Sequence, residues 1–333
     1  MKKLINTPGR YVDEALGGML AAHRETFASH GRSGRVIVRA RTKPAGRVGL
    51  ATGGGFGHLP LFAGYVGEGL LDSCAVGDVF AGPSMDNVAE ALEAADRSAG
   101  VLAIIGNYGG DRMVFTMASE ARRSAGHAAE LVIGNDDIAS AVEAEGTSRR
   151  GVAGLLFAFK VAGAAAESGL PLERCRTVAA RMVERCRTIG VALSPCILPA
   201  RGKPTFEIDG DTIEMGMGIH GEKGVWRGPL KRADALVDEM LERLTAELPI
   251  AVGSRVAVLC NSLGATPLEE LYILYRRIAE VLDRRGVTTV RPLVGHYVTS
   301  MEMAGASISL ALLDAELEPL LLAPTASPFW PDR

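Results

Sequence analysis

The sequence predicts an α/β chain of two α/β domains, the first with a mainly parallel, doubly wound sheet and the second a smaller mixed-sheet unit. Three observations predict it. Short apolar runs alternate with helix-patterned stretches through the first half, an order that sets parallel strands side by side with helices on their faces. Glycine supplies 40 of 333 residues, above the roughly 7% of an average protein, and the glycines gather where apolar runs end. Pro195, Pro199 and Pro204, with Gly202 between them, break helical character across residues 194–204 and mark the division into 1–190 and 191–333.

The first strand of this pattern is Arg47–Thr52, running into Gly53-Gly54-Gly55-Phe56-Gly57-His58 and then a helix from Leu59 to Leu71. Val101–Ile105 runs into Gly106-Asn107-Tyr108-Gly109-Gly110-Asp111 and a helix to Ser124; Ala129–Ile133 runs into Gly134-Asn135-Asp136-Asp137. In such a sheet ligands sit at the carboxyl ends of the strands, where these loops lie. The most apolar helix, Gly151–Gly169, carries Lys160 and Glu167 and is rich in alanine and glycine, so it is too short a run of pure apolar sequence to cross a membrane. Pro171 opens a helix to about Ile189, in which Glu173–Thr177 recurs as Glu184–Thr188 and sets Cys175 and Cys186 on one packed side. In the second half, Thr205–Ile208, Asp209-Gly210-Asp211 and Thr212–Met215 read as a hairpin, followed by the glycine-rich Gly216–Glu222. A helix over Pro229–Leu248, a strand over Arg255–Cys260, a helix over Leu268–Asp283 and strands at Thr288–Val294 and Ser307–Leu313 complete the reading.

Composition limits the function. The chain is 47% hydrophobic and 23% charged, enough apolar content to bury a large core without a disulfide or metal. Thirty-six Lys and Arg against 39 Asp and Glu give a net charge of -3, which offers no cationic field for nucleic acid. Five cysteines, none in a C-x-x-C pair, read as reduced and buried. Met1-Lys2-Lys3 starts like a signal peptide, but Asn6, Arg10, Asp13 and Glu14 interrupt any apolar stretch, so a cytoplasmic protein is expected.

Of six histidines, His58 and His220 alone sit within glycine-rich loops that leave the ring accessible. His23 and His30 fall in a charged N-terminal helix and its end, and His127 in a helix-to-strand turn, all as surface groups. His296 ends a strand, where a ligand contact and an interdomain hydrogen bond are both open. Gly53–Gly57 either cradles a small polar ligand with backbone N–H groups or serves close packing; it matches neither a P-loop nor a dinucleotide fingerprint. Asp111 is either a helix N-cap or, leaving the same sheet edge as His58, half of an acid–base pair. His220, with Glu222 two residues on, reads as a nucleophile or a metal ligand, and no second His or Cys stands nearby at ligand spacing.

Together, Gly53–Pro60, Ala75–Phe80, Asn107–Asp111, Gly216–Glu222, Leu263–Tyr272 and Ser300–Gly305 resemble the dihydroxyacetone-binding subunit of the dihydroxyacetone kinase family, along nearly the whole chain. The resemblance implies a homodimer that holds a short ketose as a hemiaminal on His220. Asp111 would be the base for the attacking terminal hydroxyl, His58 its hydrogen-bonding partner, and Gly53, Gly54, Gly106 and Phe56 substrate neighbours. It also implies that this chain binds no nucleotide: ATP or ADP with Mg, or a phosphotransferase relay, belongs to a separate nucleotide-binding kinase subunit. The proline-bearing tail to Arg333 is expected to hold no further catalytic domain. A non-catalytic ketose-binding regulator of the same fold is the alternative. Phe56 and Leu59 stand where the family commonly has Ser and Glu, and Gly106 where it has Lys, which points to a ketose other than dihydroxyacetone, such as the four-carbon erythrulose.

Overall fold

The computed structural model describes residues 2–331; Met1, Asp332 and Arg333, the chain ends named above, lie outside it. After helix α1 (Tyr11–Ala22) come β1 (Phe27–His30), β2 (Val36–Arg39), β3 (Arg47–Phe56), β4 (Ser73–Val79), α2 (Met85–Ala95), β5 (Ser98–Gly106), α3 (Gly109–Ser124), β6 (Ala129–Gly134), α4 (Leu155–Glu167) and α5 (Leu172–Glu184). The six strands form one sheet in the order β1-β2-β4-β3-β5-β6. Its four inner-to-far strands β4, β3, β5 and β6 are parallel, and β2 and β1 continue the β4 side antiparallel. Helices α2 and α3 pack on one face, α4 and α5 on the other, so the sheet is mainly parallel and wound on both sides.

The second sheet runs β11-β10-β12-β7-β8-β9, from β7 (Cys186–Ser194), β8 (Thr212–Met215), β9 (Trp226–Pro229), β10 (Arg255–Ser262), β11 (Thr288–Gly295) and β12 (Ala304–Leu312). Only β10 and β11 pair in parallel; every other neighbouring pair is antiparallel. Helices α6 (Ala233–Glu247) and α7 (Leu268–Arg284) cover one face with a second apolar cluster, and a short α8 (Leu317–Leu322) follows β12. The apolar α4 sits in the largest core cluster, with Leu50 and Leu102 of the first sheet, Val178 of α5, and Leu259 and Leu293 of the second sheet. Packing is therefore continuous from sheet to sheet, each fully buried Leu or Phe contributing roughly 1.5–3 kcal/mol. Lys160 within α4 places its ammonium on the Leu320 carbonyl at 2.9 Å. Among the described residues no helix is long and apolar enough to cross a membrane.

Several expectations are corrected. Strand β3 does not stop at Thr52 but runs through Gly53, Gly54 and Gly55, and no helix covers 59–71, where a single 3-10 turn, Ala63–Tyr65, interrupts turns and bridges. The glycines serve close packing inside the strand: a Cβ on Gly54 would lie 2.3 Å from the Phe62 ring, and one on Gly53 2.7 Å from the Ala75 carbonyl oxygen. The helix after Pro171 ends at Glu184, because the alternating Cys186–Ser194 run pairs with β12 instead. Cys175 and Cys186 thus lie on a helix and a strand, though both enter the same core. The hairpin partner of β8 is β9, not Thr205–Ile208, whose start turns back so that Thr205 N–H donates to the Cys196 carbonyl. His30 ends β1 rather than a helix, and the 190/191 division falls inside β7.

Candidate functional site

Because β3, β4 and β5 are parallel neighbours, their carboxyl ends open on one edge of the sheet. There β3 delivers Gly57 and His58, β4 delivers Phe80, and β5 delivers Asn107, Tyr108 and the first turn of α3 with Asp111. The second sheet contributes the β8–β9 connection, which carries His220, and the connection from β11 to β12, which fastens the two. In that connection Met301 N–H donates to the Gly57 carbonyl at 2.8 Å and the Thr299 hydroxyl to the Leu59 carbonyl at 2.8 Å. The Ser300 hydroxyl donates to the carbonyl of Ile219, next to His220. One short segment thereby fixes the loops that hold both histidines.

The His58 ring is buried, and its Nδ1 lies 2.8 Å from the Thr299 carbonyl oxygen. A carbonyl only accepts, so Nδ1 carries the proton and Nε2 is left with a lone pair. That Nε2 is buried with no hydrogen-bond partner in the protein. Burial, with the neighbouring His220, pushes the imidazole down to about 3, against the smaller upward pulls of the Thr299 carbonyl and Glu222. His58 is therefore a neutral acceptor at ordinary pH.

His220 stands edge-on to three rings: His58 and Tyr108, each with centroids 4.8 Å away, and Phe80 at 5.3 Å. Phe80 also stacks on His58 at 4.8 Å and adopts a left-handed φ of 56°, an unusual backbone for a bulky residue and one held by its surroundings. Both Glu222 oxygens turn to His220, one accepting from its backbone N–H at 2.9 Å and the other 3.0 Å from Nδ1. The Nδ1 proton donates to that carboxylate, leaving the Nε2 lone pair of a partly exposed ring free to react. Burial raises the Glu222 carboxyl, but the hydrogen bond and charge of His220 and the charge of Arg150 outweigh it and bring it down to about 2.

Asp111 is the third residue of α3, whose N-cap position is Tyr108 with no side-chain cap, so the capping role is not what holds this carboxylate. Its Oδ1 is buried without a partner. Burial pushes the carboxyl up to about 6, against the pull of His220, which suits a base working near neutrality. Gly82, beyond β4, gives it room: a Cβ there would come 2.3 Å from Oδ1.

The structure thus brings His58, His220 and Asp111 to one place. Gly53 and Gly54 lie in β3, paired with Ala75 and Val76 of β4, and Gly106 ends β5 with the Tyr108 ring folded over it, 3.0 Å from where a Cβ would stand. Phe56 is placed differently from its expected role: it is buried in the core, edge to face on Tyr11 at 6.1 Å. His23 packs on Phe27 and Phe329, while His30, His127 and His296 are exposed. Sequence reasoning missed Phe80, Tyr108, Thr299 and Arg150. The first two lie within tracts already singled out; the others act across the fold, the His58–Thr299 bond spanning 241 positions. Among the described residues no group of three or more His, Cys, Asp or Glu side chains is placed to hold a metal ion.

Residues 17–329 match the Dak1 domain family model. The chain is 40% identical to the dihydroxyacetone-binding subunit DhaK of a PTS-dependent dihydroxyacetone kinase from Listeria innocua, over 95% of each chain. It is also 40% identical to an L-erythrulose 1-kinase from Mycolicibacterium smegmatis, covering 98% of this chain and 58% of that one. Among solved structures, the dihydroxyacetone kinase of C. freundii superposes with a TM-score of 0.88 at 32% identity, over 99% of this chain and 60% of that one. The chain therefore spans nearly all of the bacterial subunit and about three-fifths of the larger kinases. A family match along almost its whole length, reached independently by fold and by sequence, makes this chain a member of the Dak1-domain family of dihydroxyacetone kinase substrate-binding subunits.

Proposed function

We propose that this chain holds a short ketose as a covalent hemiaminal on His220 and presents its terminal hydroxyl to a phosphoryl donor carried by a separate nucleotide-binding subunit. The observation that carries the reading is the His220 ring, its Nδ1 proton engaged by Glu222 at 3.0 Å, set against the buried, unpartnered Nε2 of His58 and Oδ1 of Asp111. The Nε2 lone pair of His220 forms the bond to the carbonyl carbon, the carbonyl π pair moves to oxygen, and that oxygen takes a proton as the ring gives up its own. Glu222 steadies the positive charge that develops on the ring meanwhile. Polyols such as glycerol offer no electrophilic carbon and are left out. His58 Nε2, which no other protein group reaches, accepts from a substrate hydroxyl, and Asp111 takes the proton from the hydroxyl that attacks phosphorus.

In this reading the donor is ATP or ADP with Mg on the partner, or a relayed phosphoryl group; the chain works in the cytoplasm as a homodimer. Identity to a dihydroxyacetone-binding subunit and to an erythrulose kinase is the same 40%, which supports a three- or four-carbon ketose. The replacement of lysine by Gly106, with Tyr108 folded over it, favours erythrulose. Native mass spectrometry with each ketone, with His220→Ala as control, tests the bond and the choice together. Capture that prefers dihydroxyacetone refutes the four-carbon assignment, and capture surviving His220→Ala refutes the hemiaminal. Reconstitution with a nucleotide subunit should show transfer that Asp111→Asn abolishes while the adduct persists; no transfer with any partner would favour the regulator.

A further inference from the structure

The group that orients His220 is itself held by a residue from the other sheet. Arg150, in the segment between β6 and α4, is fixed on three sides. Its Nε and Nη2 lie 2.9 and 2.8 Å from the buried Asp137 carboxylate. Nη2 donates to the Gly216 carbonyl at 3.1 Å, where the His220 loop leaves β8. Nη1 faces Glu222 Oε2 at 3.7 Å. Asp137 in turn accepts from the backbone of Ala139 at 3.0 Å, so the guanidinium has little freedom. Space for the contact comes from Gly218, where a Cβ would sit 2.1 Å from Glu222 Oε2 and 2.3 Å from Arg150 Nη1. The rigid fork of arginine suits such a three-way clamp, and a lysine would supply only a point charge.

We propose that Arg150, braced by Asp137, is a positioning residue for His220: it holds Glu222 where the carboxylate fixes the proton on Nδ1 and keeps Nε2 as the free nitrogen. Without it the carboxylate loses its counter-charge and its restraint, and the imidazole exchanges between two tautomers, one of which places the proton on the nitrogen that must react. The consequence for ketose capture rests on the function proposed above; the consequence for the tautomer does not.

The test is nitrogen NMR of ¹⁵N-histidine-labelled, ligand-free protein, with the His220 signals assigned from His220→Ala, followed by adduct titration with dihydroxyacetone and erythrulose. Wild type should show one His220 tautomer, protonated on Nδ1. Arg150→Gln should show both, with the adduct dissociation constant raised about 10- to 100-fold, the usual cost of losing a supporting partner, and Arg150→Lys should recover part of each. If Arg150→Gln fails to fold because Asp137 is left unpaired, the double variant Arg150→Gln/Asp137→Asn, which strands no buried charge, carries the same readouts. A folded variant with the wild-type tautomer and wild-type capture overturns the proposal. Absence of any adduct in wild type would instead overturn the function, while the tautomer result still decides the role of Arg150.

Discussion

Replacing Asp111 by asparagine should remove the activity and strengthen the fold, and the size of the second effect follows from the site. Burial raises the carboxyl from 3.8 to about 6. At about 1.4 kcal/mol per unit, ionising Asp111 in the folded protein therefore costs on the order of 3 kcal/mol of stability. Because the folded value lies above the unfolded one, this stability is fully present below about pH 3.8 and is lost as pH rises through about 6. Asparagine has the same shape and never ionises. Asp111→Asn should match wild type near pH 4 and exceed it by up to about 3 kcal/mol above pH 7, a melting temperature about 4 °C higher for a chain of 333 residues. Urea unfolding at pH 4, 5, 6 and 8 measures the difference directly, and reconstituted phosphoryl transfer should fall about 10²- to 10⁴-fold alongside it. A gain equal at pH 4 and pH 8, or an asparagine variant weaker than wild type at pH 8, would refute the claim that an uncompensated carboxylate is stored there for catalysis.

The same carboxyl sets the acid limb of transfer: kcat/KM should drop about tenfold per pH unit below about 6, and a limb unchanged in Asp111→Glu and wild type alike down to pH 4.5 would assign the base elsewhere. Gly82→Ala puts a methyl 2.3 Å from Asp111 Oδ1; displacing the base by about 1 Å should cost about 10²-fold in transfer while leaving adduct mass unchanged. Gly106→Lys must shift the Tyr108 ring, which lies 3.0 Å from where a Cβ would stand, and on the proposed reading the ratio of erythrulose to dihydroxyacetone capture should move toward dihydroxyacetone. Far from the site, Asp72 accepts from Lys43 at 2.8 Å and Arg39 at 3.0 Å in the first domain's interior; Asp72→Ala leaves Arg39 to Glu167 at 2.6 Å and the fully buried Lys43 with only the Val48 carbonyl and a Glu167 oxygen 3.9 Å away, and should lower urea-measured stability by about 3 kcal/mol.

The alternation of strands and helices was legible because it is a local pattern, and β5, α3, β6, α4, α6, β10, α7, β11 and β12 all follow it. The failures came where local patterning competed with long-range pairing. Gly53–Gly55 looks like a turn to any reading of propensity, yet parallel pairing to Ala75 and Val76 and the press of Phe62 make it strand. Cys186–Ser194 continued a helical repeat on paper, but β12 supplied a strand partner that nothing nearby in sequence announced. His58, Asp111 and His220, which stand out by residue type within glycine tracts, meet in the structure even though some of the elements that carry them were misread. Phe56 misled because the same tract offered an aromatic in the expected place. The ring that stacks on His58 is Phe80, one strand over, reached through the sheet and not along the chain.

That division explains why so many of the loops are built on glycine. Each histidine is oriented through its Nδ1: His58 by the Thr299 carbonyl, His220 by Glu222. Both orienting groups are held from a distance, Thr299 by its bond to Leu59 and Glu222 by Arg150. Four chain segments must then meet within a few ångströms, and a Cβ at Gly82 or Gly218 would already occupy the space used by Asp111, Glu222 or Arg150. In the proposed reading a hydroxylated carbonyl compound pairs with Nε2 of His58 and Oδ1 of Asp111, two buried polar atoms that no other group of the protein reaches. In that reading a ketose that lacks the corresponding hydroxyl binds more weakly, and discrimination rests on hydrogen bonds to His58 and Asp111 as much as on the carbonyl carbon facing His220.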